Sequence, residues 1–369
     1  MTSTAPSSGT LRHLPAVWAA RHSDWGLAEH VGERTALLDL ACVPGARPLV
    51  LAVLAGVLPI GAPLLAVTAT TREAEDLAAA LGSFLDPDVV AVFSSWETLP
   101  HERLSPRSDT VGRRLAVLRR LAHPDSTSAD DPSIGPLRVV VAPIRAVLQP
   151  IATGLGDLAP VALHSGQECP IEQVVEDLVA AAYSRTDLVE RRGEFAVRGG
   201  ILDVFPPTEE HPLRVEFWGD TVEEIRWFRV ADQRSLEVAD GGLWAPPCRE
   251  LLLTDAVRAR ARDLIPHLPG VADLLEKVAE GIAVEGMESL LPALVDQMQT
   301  LLDVLPPESM VVAHDPERIR LRAHDLVATS EEFLEASWSN AATGSAVAAG
   351  GPAPVDLRAV LGTGSYHGI

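Results

Sequence analysis

Six arginines are concentrated in a short, strand-rich part of a strongly acidic chain: Arg185, Arg191, Arg192, Arg198, Arg214 and Arg226. The planar guanidinium group matches the geometry of a carboxylate, and arginine is enriched at the energetic centres of protein interfaces. These residues therefore indicate recognition of an acidic protein surface. The alternative is pairing with the chain's own Asp and Glu at the surface. We favour that alternative for Arg191, Arg192 and Arg226, and an interface for Arg198 and Arg214.

Residues for catalysis or metal binding follow no recognisable pattern. The eleven histidines are dispersed and form no H-E-x-x-H, and the sequence contains no G-x-S-x-G turn. The three cysteines, Cys42, Cys169 and Cys248, form no C-x-x-C pair. Zinc sites, serine hydrolases and thiol oxidoreductases depend on those spacings. We therefore expect no catalytic residue, no metal site and no disulfide framework.

The sequence also lacks the loop that holds nucleotide phosphates in helicase-like domains. That loop, G-x-x-x-x-G-K-[ST], presents backbone N–H groups and a lysine to the phosphates. In the first strand–helix region the chain reads LAGVLPIGAP, which has no lysine and contains Pro59 and Pro63. Lysine is scarce throughout, and no acidic Mg²⁺-binding motif of the Walker-B kind follows a strand. We therefore expect neither ATP binding by this route nor enzyme activity.

The strands of the stretch Leu188–Val230 must position the arginines. Alternate residues of a strand point to opposite faces. The motif FAVR therefore places Phe195 and Val197 on one face and Arg198 on the other. Gly199-Gly200 then marks a bulge or a change of strand direction.

A second motif, LRVEF, alternates in the same way and leaves Arg214 and Glu216 opposite its apolar residues. A third strand, Thr221–Val230, follows a turn at Gly219-Asp220. The simplest arrangement is a small antiparallel sheet with one buried face and one arginine-bearing face. We expect Arg198 and Arg214 to lie on adjacent strands of that second face.

The segments around this stretch define the fold class. From residue 18 to 148, buried apolar strands alternate with amphipathic helices, which is typical of a parallel α/β sheet. The pattern changes over residues 149–245, where the helix Pro170–Ala182 precedes the small sheet, and it returns over residues 246–343. We therefore expect an α/β domain split by an inserted α+β domain. Residues 1–17 and the Gly/Ala/Ser-rich residues 344–369 are expected to be a flexible N-terminus and a linker.

An irregular segment, SSWETLPHERLSPRSDTVG, lies between Phe93 and Val111. It is either a binding loop or an ordinary connection anchored by Trp96. Because large aromatic residues usually pack, we favour a core position for Trp96 and a surface position for His101.

Length and composition limit the possible classes. A chain of 369 residues is long enough for two or three domains. Its net charge of −21 argues against a general DNA- or RNA-coating protein, which needs an excess of Lys and Arg. We find no signal-peptide pattern, and glycine and proline interrupt the longest apolar run, so we expect a soluble cytoplasmic protein that does not bind a membrane. The chain stops without a closing element, which indicates part of a longer protein.

Two motifs, RRGEFAVRGGILDVFP and LRVEFWGDTVEEIRWF, resemble the UvrB-homology family, which the excision-repair protein UvrB shares with the transcription-repair coupling factors (Mfd). Three more stretches, SWETLPHERLSPRSDTVGRRLAVLRRL, FRVADQRSLE and EGIAVEGMESLLPAL, are similar to the coupling factors. The resemblance implies a degenerate helicase-like (RecA-like, UvrB-type) parallel-sheet domain split by an inserted UvrA-binding domain. The missing phosphate loop agrees with the coupling factors better than with UvrB.

The resemblance also implies partners and site residues. The family's UvrA contacts fall on Arg185, Arg198, Arg214, Glu216 and Phe217, while Ala196 stands where UvrB typically has arginine. In full-length members we expect further contacts with RNA polymerase and upstream DNA, a C-terminal domain that masks the UvrA site, and ATP and Mg in motor domains outside this chain. No cofactor is expected within it. The alternatives are a nucleotide-binding helicase core of UvrB itself and direct DNA binding by the arginine face.

Overall fold

The computed structural model describes residues 11–21, 39–98, 104–124 and 135–343, with side chains described as far as residue 329. Within these ranges the chain forms a parallel α/β unit and an inserted unit built on a six-stranded sheet. None of the described helices is long and apolar enough to cross a membrane. His101 and the predicted linker, residues 344–369, lie outside the described residues.

A four-stranded parallel sheet forms the centre of the α/β unit. Its strands are β1 Leu64–Thr68, β2 Val90–Val92, β3 Val139–Pro143 and β14 Met310–Ala313. Their order is β14-β1-β3-β2, and all neighbours run parallel. Every residue of β1 and β3 is buried, because these central strands are covered by helices on both faces. The predicted class of a parallel α/β domain with an inserted unit is confirmed.

The helices of the α/β unit pack on the two faces of this sheet. They are α1 Leu14–Arg21, α2 Arg47–Val57, α3 Thr71–Leu81, α4 Ser108–Ala122, α5 Ile144–Leu148, α7 Asp255–Leu264, α8 Ala272–Glu280, α9 Leu291–Leu294, α10 Leu301–Val304 and α11 Pro316–Thr343. Helices α2 and α3 cover one face, and α4, α7 and α8 contribute to the larger core on the other. Helix α3 shows the local cause: Thr70 caps its N-terminus, and Ala74, Leu77 and Leu81 bury one side.

The inserted unit is an α+β unit with more strands than predicted. Its elements are β5 Val161–Leu163, α6 Ile171–Ala180, β6 Ser184–Arg185, β7 Glu194–Arg198, β8 Ile201–Val204, β9 Leu213–Trp218, β10 Thr221–Phe228, β11 Ser235–Val238 and β12 Leu243–Ala245. The main sheet has the order β11-β10-β9-β8-β7-β6, and β5 pairs with β12 where the chain enters and leaves. The sequence indicated three strands. Gly199-Gly200, interpreted as a bulge or a change of strand direction, is the turn between β7 and the additional strand β8, and β6 and β11 were not predicted.

Two segments lie differently from their expected positions. Residues 149–160 were assigned to the inserted unit, yet Ile151 and Leu155 are buried in the α/β core, and β4 (Ile151–Ala152) pairs with β13 (Met298–Gln299). The inserted unit therefore begins near Val161. Helix α1 begins at Leu14, within the stretch predicted to be flexible, because its side rests against α2.

The chain segment that returns from the inserted unit is fixed in the α/β core by Glu250. Its carboxylate accepts hydrogen bonds from the Trp96 indole at 2.9 Å and from the Arg114 guanidinium, and both side chains of this ion pair are fully buried. Arg114 also donates to the Ser94 carbonyl at 2.6 Å and lies 4.3 Å from the centroid of the Phe93 ring. The predicted core position of Trp96 is confirmed.

Replacing Glu250 by alanine leaves the charge of Arg114 buried without its partner. We expect the free energy of unfolding to fall by about 3–5 kcal/mol, the usual cost of removing one member of a buried ion pair. Urea denaturation measures this loss. As a control, Glu317→Ala breaks a pair whose side chains are 74% and 71% exposed, and should cost less than about 1 kcal/mol. Equal losses for the two variants would contradict a structural role for the Arg114–Glu250 pair.

Candidate functional site

The candidate site lies on the side of the six-stranded sheet that faces away from α6, which we call the open face. Residues paired across neighbouring strands share a face, and the register of β7 to β10 defines two rows there. One row is Ala196, Asp203, Arg214 and Arg226; the other is Arg198, Ile201, Glu216 and Glu224. The predicted alternation is therefore confirmed for Arg198, Arg214 and Glu216, whose neighbours along each strand pack against α6.

The sequence predicted Arg198 and Arg214 on adjacent strands, and that prediction is wrong. They lie on β7 and β9, and β8 runs between them carrying Asp203. Arg214 binds Asp203 through two hydrogen bonds, Nε to Oδ1 at 2.7 Å and Nη2 to Oδ2 at 2.8 Å, while Arg198 donates from Nη2 to Oδ2 at 3.2 Å. The side chain of Asp203 is 2% exposed. A single buried carboxylate therefore joins both arginines.

Arg214 is held on all sides. Besides its two bonds to Asp203, its Nη1 donates to the Gln233 carbonyl at 3.3 Å, and its guanidinium lies 4.7 Å from the centroid of the Phe228 ring. The hydrogen bonds that Arg214 donates to Asp203 raise the pKa of Arg214, against the opposing effect of burial. Only 17% of its side chain is exposed, compared with 52% for Arg198. Of the two arginines, Arg198 is the one that offers a surface to a partner.

Sequence reasoning missed an aromatic residue on the same face. Trp218 follows Glu216 by two positions on β9 and is 79% exposed, and Ile201 beside Arg198 is 37% exposed. The signal was present in the alternation of LRVEFW, which puts tryptophan on the same side as arginine and glutamate. Tryptophan and arginine are the residue types enriched where binding energy is concentrated. This end of the open face therefore carries an apolar anchor beside an accessible guanidinium.

Two residues proposed as contacts lie elsewhere. Phe217 is 8% exposed and packs in the core between the sheet and α6, so it supports β9 from behind. Arg185 pairs with Phe195 in the register of β6 and β7, which places it on the side of α6, opposite Arg198. Arg185 is exposed but does not share the open face. Ala196 is buried with Val189 and other apolar residues, at the covered end of the open face.

Of the three arginines for which pairing with the chain's own Asp and Glu was favoured, Arg226 pairs with a carboxylate, whereas Arg192 binds a backbone carbonyl. Arg226 binds Glu224 through two hydrogen bonds of 2.6 and 2.9 Å. Arg192 donates from Nε to the Glu209 carbonyl at 2.8 Å and lies 5.2 Å from the centroid of the Phe205 ring. Asp203, Glu216 and Glu224 lie in the same two rows as Arg198, Arg214 and Arg226, so these rows carry as many carboxylates as guanidinium groups.

The phosphate-loop segment also lies differently from its predicted position. Leu54–Val57 form the end of α2, and residues 58–63 lead into β1, whereas a phosphate loop joins the end of a strand to the start of a helix. The strand-to-helix turns that the structure describes contain no lysine, because the single lysine of the chain, Lys277, lies on α8. Among the described residues no group of three or more His, Cys, Asp or Glu could hold a metal ion.

At the carboxyl end of the parallel sheet, where α/β proteins commonly bind ligands, side chains of this chain contact one another. Arg47 at the start of α2 donates to Nε2 of His314 at 3.2 Å, and Arg318 forms an ion pair of 2.6 Å with Glu73. Because arginine can only donate, this geometry assigns an unprotonated Nε2 to His314. Burial, and to a smaller extent the charge of Arg47, lower the pKa of His314, which favours the same unprotonated form.

Comparisons with known proteins agree with this architecture. Residues 161–243 match the family model described as the UvrB interaction domain, close to the bounds of the inserted unit. The chain is 52% identical over 349 residues to the transcription-repair-coupling factor of Mycobacterium bovis and 36% identical over 311 residues to that of Myxococcus xanthus. It is 31% identical over 191 residues to UvrABC system protein B of Gloeothece citriformis.

A parallel α/β unit interrupted by this interaction domain defines a protein of the UvrB-homology class. The matches to the two coupling factors cover 92% and 79% of the chain, whereas the match to UvrABC system protein B covers 48%. The chain therefore belongs to the transcription-repair-coupling factors and carries their N-terminal UvrB-homology region. It spans 27% and 25% of the length of those two relatives.

The different environments of the two arginines predict different effects on stability. Arg214→Ala leaves the buried Asp203 with one weak partner, and we expect a loss of roughly 3 kcal/mol in the free energy of unfolding. Arg198→Ala removes a half-exposed group, so its loss should stay below about 1 kcal/mol. Chemical denaturation of the two variants under the same conditions measures both values. A larger loss for Arg198→Ala than for Arg214→Ala would show that the assignment of roles is reversed.

Proposed function

We propose that this chain is the module of a transcription-repair-coupling factor that recruits the excision-repair protein UvrA, and that it does so through the open face of the inserted unit. The relatives' name supports a role in coupling transcription to repair, and the matched interaction domain supports a protein partner. In the full-length family we place ATP-driven translocation and the contacts with RNA polymerase and upstream DNA in segments beyond this chain. We place this recruitment in the cytoplasm, where the DNA is.

One observation carries the assignment of the surface. Trp218 and Arg198 are exposed at the same end of the open face, next to Ile201, whereas Arg214 and Arg226 are paired with Asp203 and Glu224. An exposed tryptophan and an exposed arginine at one end of a face fit a partner with an apolar pocket and a nearby carboxylate. The balance of three guanidinium groups and three carboxylates disfavours DNA, since phosphate binding needs a surplus of positive charge.

Arg198→Glu should fold normally and bind UvrA at least about 30-fold more weakly, because it replaces an attractive charge contact by repulsion. Trp218→Ala should cause a loss of similar size through the missing apolar anchor. Isothermal titration of each purified variant with UvrA measures both effects. Ile60→Ala is the matched control, since Ile60 is also 79% exposed but lies in the turn before β1. Unchanged affinity in both site variants would exclude the open face.

A helicase-type activity within this chain would require nucleotide binding, and we propose that the chain has none. A titration with a fluorescent ATP analogue, with Mg²⁺ present, should show no saturable binding at micromolar concentrations. The physical reason is that no lysine stands at a strand-to-helix turn in the described residues, and that Arg47, His314, Glu73 and Arg318 are engaged with one another. Saturable binding would revive the alternative of a UvrB-like nucleotide-binding core.

A further inference from the structure

Asp203 is a buried carboxylate of the inserted unit. It belongs to the open face but is not exposed on it. It is 1% exposed and lies at the centre of the open face, on β8, between the strands that carry the two arginines. Burying a carboxylate is unfavourable unless charged donors compensate it. Arg214 supplies two of those donors and Arg198 a third. The charge of Asp203 is therefore compensated by residues of the open face itself.

The two arginines differ in what they have left to offer. Each of the three side-chain nitrogens of Arg214 donates a hydrogen bond within the unit, to Asp203 or to the Gln233 carbonyl. For Arg198 the structure gives a hydrogen bond from Nη2 alone. Its Nε and Nη1 are therefore available to a second carboxylate. The contact with Asp203 fixes the position of the guanidinium group without using all its donors.

We propose that Asp203 is a positioning residue for the UvrA contact: together with Arg214 it holds Arg198 in the conformation that binds a carboxylate of the partner. This inference rests on the proposed function of the open face. A free arginine side chain samples many rotamers and loses that freedom on binding, whereas a side chain held in advance loses less. Asp203 itself touches no partner, since Ala196, Arg198 and Arg214 surround it on the face.

A double-mutant cycle tests the coupling. Asp203→Asn should weaken UvrA binding about tenfold, and Arg198→Ala should weaken it at least as much. In the double variant we expect no further loss beyond that of Arg198→Ala, because Asp203 acts through Arg198. Asp203→Asn combined with Trp218→Ala should instead show additive losses. Full additivity of Asp203→Asn with Arg198→Ala would overturn the proposal, as would an unchanged affinity for Asp203→Asn.

If Asp203→Asn unfolds because it disturbs a buried ion pair, a second variant keeps the test valid. Asp203→Leu with Arg214→Leu replaces the pair by apolar groups, a change that buried pairs often tolerate. This variant should fold, and it should bind UvrA about tenfold more weakly because Arg198 has lost its anchor. Wild-type affinity in the folded Leu/Leu variant would show that Arg198 needs no positioning.

A measurement without UvrA separates this inference from the proposed function. In the wild-type chain, ¹⁵N relaxation of the Arg198 Nε–H should report a rigid side chain, and in Asp203→Asn a mobile one. If Arg198 is equally mobile in both, positioning by Asp203 is wrong whether or not UvrA binds. If Arg198 is rigid only in the wild type and neither protein binds UvrA, the proposed function fails and the positioning stands.

Discussion

The architecture depends on the buried ion pair between Arg114 and Glu250. The chain leaves the α/β unit near Val161 and returns only after the whole inserted unit has been built, so a fixed relation between the two units requires an anchor at the return point. Glu250 provides it two residues after Cys248, whose own N–H donates to the Ala181 carbonyl of the inserted unit. Two unlike groups, an indole and a guanidinium, meet at one carboxylate in the core. Without that carboxylate, Arg114 is an uncompensated buried charge.

The inserted unit uses the same device a second time. Asp203 is a buried carboxylate that takes its compensation from two arginines, as Glu250 takes its own from Arg114 and Trp96. The difference lies in exposure: both partners of the Glu250 pair are fully buried, whereas Arg198 keeps half of its side chain in solvent. In the first case a buried charge pair fixes the segment that returns from the inserted unit in the core of the α/β unit. In the second it orders a side chain that remains accessible, which is what a preformed binding surface needs.

The sequence predicted the open face from local periodicity, which is reliable because alternation along a strand is a property of the backbone. It did not predict the parts that depend on pairing between distant segments. The role of Asp203 required knowing that β8 is a separate strand between β7 and β9. The side on which Arg185 lies depends on its parallel pairing with Phe195, a contact that no local pattern indicates. Phe217 was given as a contact by resemblance, although the alternation of LRVEFW already placed Phe217 inside and Trp218 outside.

The α/β unit shows how a sheet that commonly binds ligands can serve as a scaffold. In such sheets the carboxyl ends of the parallel strands form the ligand site. Here that edge is crossed by contacts of the chain with itself, from Arg47 to His314 and from Arg318 to Glu73. The first contact requires a neutral His314, and the lowered pKa favours that form. Groups that would otherwise attract an anion are thus engaged in joining α2, α3, β14 and α11. The exposed tryptophan lies instead on the inserted unit, at the end of the open face that also carries the half-exposed Arg198.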